Sequence, residues 1–305
     1  MDIDDYKIVN SPIKWAGGKS RFRKRIVSLL PEHTCYVEPF CGAAWVLFAK
    51  PPSQVEVIND INSELTTFFK VLKTHPQEFI ESFEFELVSR QQFTEFANMS
   101  NDQIKELSEI ERAHRFFYLI MAAWGGELNY PRMQISITDG GHGNRLFGAI
   151  EHIKERVMPV YQRLKTVIIE NLDWTKMFST YDSPTTVFYV DPPYPQNGVN
   201  YLHNMRSWED HKRLADVLAH TQGRWILSSY DNEEVRKFYS DFNIIPVQAA
   251  SGMKAKKGGK ERVINKEVFI LNYEAVLAYE TENEIEVDTE KLDNKPQPPT
   301  LPGIL

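Results

Sequence analysis

Apolar and polar positions along the chain fall into two textures. Before about residue 75 and after about residue 165, short β-branched and aromatic runs alternate with amphipathic stretches. Tyr36-Val37-Glu38-Pro39-Phe40 predicts a short strand, Cys41-Gly42-Ala43-Ala44 a tight turn, and Trp45 to Ala49 the start of an apolar helix. Val55 to Ile58 predicts a second strand that ends in Asn59-Asp60-Ile61-Asn62. From Ser63 to Lys73 the period becomes helical, with Leu65, Phe68, Phe69 and Leu72 on one face. A strand, turn, helix, strand, helix series with an acid closing the second strand is the pattern of a nucleotide-binding half-sheet.

From His75 to about Lys165 the pattern predicts helices instead. Gln77 to Phe96, Asp102 to Trp124 and Ile150 to Leu164 read as helical, with Phe116, Phe117, Leu119 and Ile120 as one buried side. Between them, Gly125 to Phe147 is glycine-rich, polar and aperiodic, which predicts a functional or mobile loop. Strands resume at Thr166 to Glu170, Thr186 to Val190 and Arg224 to Ser229, separated by helices at Thr175 to Phe178 and His211 to Thr221. A short helix at Glu233 to Tyr239 precedes a closing strand pair, Ile244 to Ala249 and Glu267 to Asn272, around a basic loop at Lys254 to Lys266. The expectation is an α/β fold with an inserted, mainly helical middle.

Composition changes this picture little, and charge changes it locally. The 305 residues, 42% hydrophobic and 25% charged, suit one large domain with an insertion. No apolar run is long enough for a membrane span, and the acidic start does not resemble a signal peptide. Cys35 and Cys41 have no matching pair, which argues against a disulfide framework or zinc and suits a reducing cytoplasm. The net charge of −7 argues at first against a nucleic-acid partner. It is unevenly spread, however. Lys19 to Arg25 and Lys254 to Arg262 are basic, whereas the proline-rich stretch from Glu280 is acidic and lacks a core.

The chemistry concentrates at Asp191-Pro192-Pro193-Tyr194, directly after the most apolar strand. Strand carboxyl ends are where open α/β sheets hold ligands. Two prolines remove two backbone donors and leave carbonyl oxygens beside one carboxylate. An amine to be methylated has two hydrogens to donate, and Asp191 with the Pro192 carbonyl can accept them. The Tyr194 ring offers a face on which a base can stack. The tetrapeptide alone fits a proline turn closing a core strand about as well.

Four motifs together carry a resemblance. Pro-Ile-Lys-Trp-Ala-Gly-Gly-Lys (12–19), Tyr-Val-Glu-Pro-Phe-Cys-Gly-Ala (36–43), Asn-Asp-Ile-Asn (59–62) and Asp-Pro-Pro-Tyr (191–194) stand in the order found in the Dam-type adenine-specific DNA methyltransferases, the D12 or alpha class. The likeness spans roughly 10–75 and 165–275. It implies a Rossmann-like S-adenosylmethionine-dependent methyltransferase sheet with helices on both faces and a helical target-recognition insertion. The implied division is 1–74 with 166–280 as the catalytic domain, 75–165 as the DNA-reading domain, and 281–305 as a flexible tail.

The resemblance also implies residue roles. Trp15, Ala16, Gly17, Gly18 and Lys19 would contact the cofactor, although the same run could be a glycine turn before a basic helix. Glu38, Pro39, Phe40, Gly42 and Ala43 would form its methionine-side turn, with Ala44 where the family often has a second glycine. Asp60, beside Ile61, would take the ribose hydroxyls or else cap the following helix, a task open also to Asn62 or Ser63. Asp173 would face the adenine of the cofactor or cap its own helix. Asp191 would stand between cofactor and target. The implied reaction transfers a methyl group from S-adenosylmethionine directly to the amino group of an adenine flipped from duplex DNA, leaving S-adenosylhomocysteine. It uses no metal and no covalent intermediate.

DNA would be read by the middle segment. Asn129, Tyr130, Arg132, Gln134, Asn144 and Arg145 are side-chain types that read base edges or, for Tyr130, wedge into a stack. Lys256 and Lys257 would meet phosphates, or lie in a solvated turn. The segment departs from the Arg-Tyr-Asn and Phe-Asn-Val-Pro-Tyr-Gly signature usual in Dam, so GATC specificity does not carry over. A cognate restriction endonuclease is a further candidate partner, and a monomer or weak dimer in the cytoplasm is expected. The alternatives are an RNA adenine or protein-glutamine methyltransferase and an inactive DNA-binding module of the same fold. A nicotinamide-dependent dehydrogenase lacks its G-x-G-x-x-G turn.

Overall fold

All seven predicted strands form, and they join one sheet. A computed structural model describes residues 6–135, 145–194, 205, 207–250 and 264–275. The strands are β1 (Cys35–Glu38), β2 (Val55–Asn59), β3 (Val167–Glu170), β4 (Thr186–Val190), β5 (Arg224–Tyr230), β6 (Asn243–Ala250) and β7 (Ile264–Leu271). Their order is β3-β2-β1-β4-β5-β7-β6, parallel throughout except that β7 runs against both its neighbours. The chain builds outward in one direction from β1 and in the other from β4. The crevice at their carboxyl ends is therefore the topological switch point, where such sheets bind ligands.

The period-2 pattern of each strand feeds two cores. Tyr36, Ile58, Val187, Tyr189 and Ile226 enter one, while Val37, Val57, Phe188, Val190 and Trp225 enter the other. All five β4 residues are buried, as in a parallel strand covered on both faces. The first core lies under α1 (Arg23–Leu29), α2 (Trp45–Ala49), α3 (Ser63–Thr74) and the helices of the middle segment. The second lies under α10 (Trp174–Tyr181), α11 (Trp208–His220) and α12 (Glu233–Phe238).

The middle segment contains more helices than the periodicity predicts. They are α4 (Pro76–Glu81), α5 (Arg90–Asn98), α6 (Asn101–Glu106), α7 (Glu109–Ala122), α8 (Arg145–Glu151) and α9 (Ile153–Leu164). The single helix expected over 77–96 breaks where Tyr118 Oη donates toward the Leu87 and Ser89 carbonyls and Ser89 caps α5. The one expected over 102–124 splits at Ser108, because reciprocal capping boxes Ser100/Gln103 and Ser108/Glu111 start α6 and α7 separately. The buried face of α7 is the expected one. Phe116 and Phe117 meet Phe68 of α3 at ring-centroid distances of 5.4 and 6.0 Å, so the segment packs into the sheet's own core. The described residues all fall in one compact unit, Met1–Ala275.

Candidate active site

The turn after β1 is shaped by two left-handed residues. Gly42 has φ +47° and Ala44 φ +52°, a conformation that Gly adopts without penalty and Ala does not. The Gly42 N–H donates to Asp60 Oδ2 at 3.1 Å, so the ends of β1 and β2 are joined through a carboxylate. Asp60 Oδ1 accepts the Asn62 N–H at 3.0 Å, while Asn62 itself caps α3 by accepting from Glu64 and Leu65. Asp60 is thereby a loop-ordering carboxylate rather than the helix cap. Asn59 braces the same edge: its amide donates to the carbonyls of Pro39 (2.9 Å) and Leu172 (3.1 Å) and accepts the Leu172 N–H.

Glu38 is buried at the end of β1, where Oε1 accepts from Tyr36 Oη at 2.8 Å and the Leu47 N–H at 2.7 Å. Burial raises its pKa to about 8 despite those two donors, and Asp191 adds to the rise, so Glu38 is mostly protonated at neutral pH.

The Trp15 to Lys19 segment lies against this turn. A Cβ on Gly42 would sit 2.9 Å from Trp15 Cδ1 and Nε1, so the indole packs on a spot only glycine leaves open. Gly18 has similarly little room, between the Trp45 indole and the Trp15 carbonyl. Ala16 is buried and Gly17 exposed with φ +74°. The middle segment also touches it: a Cβ on Gly126 would lie 3.0 Å from the Lys14 carbonyl, and Arg156 of α9 reaches the Pro12 carbonyl.

Lys19 reaches the end of β4. Its Nζ lies 2.8 Å from Asp191 Oδ1, 3.0 Å from the Gly17 carbonyl and 4.9 Å from the centre of the Tyr194 ring. Tyr194 Oη donates to the same Asp191 Oδ1 at 2.9 Å, and burial with the Asp191 charge holds that hydroxyl protonated. Behind the turn, His211 of α11 meets the Pro193 carbonyl through Nε2 at 3.0 Å, and Tyr230 of β5 packs edge-on against Tyr194.

Other expected residues make contacts of their own. Asp173 is exposed and caps α10 by accepting the Thr175 N–H at 2.9 Å, Ile61 is exposed, and half-buried Phe40 packs near Trp174. Tyr130, Arg132 and Arg145 are exposed, whereas Asn129 and Gln134 are half-buried. Backbone bonds from Trp124 to Arg132 and from Gln134 to Ala122 close this loop on the end of α7. Asn144, Lys256 and Lys257 lie outside the described residues, as does the 281–305 segment.

Residues 15–253 match the D12 class N6 adenine-specific DNA methyltransferases. The chain belongs to that family. A type II methyltransferase of Lactococcus lactis subsp. cremoris, M1.LlaDCHI, is 28% identical to this methyltransferase, covering 85% of this chain and 94% of its own. M.MjaIII of Methanocaldococcus jannaschii is 27% identical, covering 86% and 98% respectively. The DNA adenine methylase of Escherichia coli K12 is 25% identical, covering 82% and 91%. This chain is accordingly an adenine-specific DNA methyltransferase, which requires a methyl donor and DNA.

The sequence does not mark Asn59, Tyr230 and His211 as neighbours of the site, nor Glu267 of β7, whose Oε2 lies 3.9 Å from Lys19 Nζ. For Asn59 a signal existed, a polar residue at the end of an apolar strand. Glu267 carried a weaker one, an acid opening the Val268 to Leu271 run of a closing strand. Among the described residues, no helix is long and apolar enough to cross a membrane.

Proposed function

We propose that the crevice between β1 and β4 binds S-adenosylmethionine and a flipped-out adenine of duplex DNA, with Asp191 at the reacting amino group. The observation that carries this reading is the convergence of Lys19, Tyr194 and Asp191 at one side of the switch point with Gly42 and Asp60 at the other. The residues suit a sulfonium nucleoside. Gly42 admits no side chain, Trp15 supplies a flat wall, and the carboxylates Asp60 and Asp191 favour a cation. Trp15 to Lys19, Glu38 to Ala43, Asp60 and Ile61 would hold it, and Asp173 its adenine edge. The bound cofactor supplies an electrophilic methyl group.

The rest of the chemistry belongs to the chain. The Asp191 carboxylate and Pro192 carbonyl accept the two amino hydrogens, which turns the nitrogen lone pair toward the methyl group. Pro193 stiffens the turn, and Tyr194 stacks on the base. The nitrogen must lose one proton as the new bond forms, and the Asp191 carboxylate is the acceptor beside it. Positioning rather than a covalent intermediate supplies the rate. The segment 75–165 reads the target sequence, using the loop residues Asn129 to Gln134 with Asn144 and Arg145, while Lys256 and Lys257 meet phosphates. The type II names of two relatives support a companion restriction endonuclease.

The test is methyl transfer from labelled cofactor to duplex DNA and to RNA. Duplex DNA is expected to be the acceptor, and Asp191→Ala is expected to abolish transfer while calorimetry still shows cofactor binding. Undiminished transfer by Asp191→Ala would refute the mechanism, and a preference for RNA would refute the substrate.

A further inference from the structure

Asp191 has one oxygen fully engaged in the resting site. Its Oδ1 already receives the Lys19 ammonium and the Tyr194 hydroxyl, at 2.8 and 2.9 Å. An incoming amino group needs that carboxylate, and an ammonium in contact with it competes for the same lone pairs. An amino group held at Oδ1 as well as at Oδ2 requires Lys19 to shift to another acceptor.

A second carboxylate stands within reach. Glu267, on the antiparallel strand β7 and paired across from Tyr230, places Oε2 3.9 Å from Lys19 Nζ, beyond hydrogen-bond distance. That oxygen is buried and has no hydrogen-bond partner among the described residues. A buried acceptor left unsatisfied in a native fold calls for an explanation. Lys19 comes from the amino-terminal segment, Asp191 and Tyr194 from the turn after β4, and Glu267 from the far side of β5. The ammonium thus sits between two acids and touches one of them.

We infer that Glu267 is a positioning residue for methyl transfer, the alternate acceptor that draws the Lys19 ammonium off Asp191 when the target amino group arrives. This rests on the reading of Asp191 as the residue that holds that group. The movement needed is about 1 Å, from 3.9 Å to hydrogen-bond length, within the range of a lysine rotamer adjustment. Lys19 remains beside a carboxylate throughout, while Asp191 exchanges the ammonium for the target amino group and keeps the Tyr194 hydroxyl. Among the described residues, the charged and titratable groups facing Glu267 are Lys19, Asp191, Tyr189, Tyr194 and Tyr230. Burial raises the Glu267 pKa, with Lys19 opposing and Asp191 adding to the rise, so its charge is lost at a higher pH than that of an ordinary carboxylate.

The experiment measures single-turnover transfer to unmethylated plasmid DNA across roughly pH 5–9, a span covering carboxylate titration. Glu267→Gln keeps the shape and removes the charge. Its rate is expected to drop about tenfold to a hundredfold, the scale of a misplaced reacting group. Cofactor affinity should stay near the parent value, and the acidic limb of the profile should move. Glu267→Asp keeps the charge one methylene further back and is expected to fall between the two. A Gln variant within about twofold of the parent rate, or with an unmoved limb, overturns the inference. Should that variant not fold, an Asp variant at the parent rate overturns it. Asp191→Ala runs alongside: if it still transfers methyl, the reading of the site fails, whereas its inactivity beside a fully active Glu267→Gln removes Glu267 alone.

Discussion

Gly42 shows how little freedom a single position in this site retains. Its φ of +47° already disfavours any side chain, and a Cβ there would overlap the Trp15 indole at 2.9 Å. Trp15 cannot retreat easily, because its other neighbours include Phe116 of α7. Gly42→Ala is therefore expected to destabilise the protein by about 1–3 kcal/mol, through strain and overpacking together. It should also weaken cofactor binding, because the Asp60 contact and the indole move with the turn. Denaturant midpoints and calorimetric affinity read the two effects, and a variant unchanged in both would contradict the packing described. Ala44 makes an instructive contrast. Its left-handed φ of +52° costs about 1–2 kcal/mol relative to glycine. Burial of its methyl group returns about 0.8 kcal/mol. A more rigid unfolded chain returns roughly 0.4–1 kcal/mol more. The terms nearly cancel, which accounts physically for an alanine at a position suited to glycine.

Between elements, one tie from the middle segment to the sheet is ionic. Arg163 at the end of α9 pairs with Glu56 of β2, which also holds Lys50 Nζ at 2.6 Å, and Arg163 Nη2 donates to the Leu47 carbonyl at 3.0 Å. All three charged side chains are buried, and the two cations with their hydrogen bonds hold the Glu56 carboxyl below its usual pKa against the opposing effect of burial. Arg163→Met removes one partner and leaves the rest in place. Its expected penalty is about 3–5 kcal/mol, far above that of an exposed pair such as Lys70–Glu109. Urea unfolding of the two single variants, Arg163→Met and Lys70→Ala, makes the comparison, and equal small losses would refute it. Element boundaries show what the local pattern captures. The capping boxes at Ser100 and Ser108 are written in the chain, and the apolar face of α7 is too. The break between α4 and α5 is only partly so: Ser89 caps α5 locally, but the hydroxyl that ties Leu87 and Ser89 belongs to Tyr118, on another helix.

At the scale of the molecule, a DNA enzyme with net charge −7 must concentrate its positive charge. The Lys254 to Arg262 run is one such concentration in the sequence. If Lys256 and Lys257 meet phosphates, replacing both with alanine should weaken binding to every DNA sequence alike. The slope of log affinity against log salt should then fall by about 0.9 for each phosphate no longer neutralised. Binding measured at several salt concentrations decides this, and an unchanged slope would remove both lysines from the interface. By itself, the sequence determined the strands, the order of motifs and the chemistry of the Asp191 turn, because apolar period, proline and glycine act over a few residues. It carried the family as well, since four short motifs in one order are local signals. Only the tertiary structure decided which strands adjoin, that the middle helices share the sheet's core, and that Glu267 stands across from Lys19. Those are contacts between residues distant in the chain, and the approach of Glu267 to Lys19 follows from the sheet's β5-β7-β6 edge, which no local periodicity encodes.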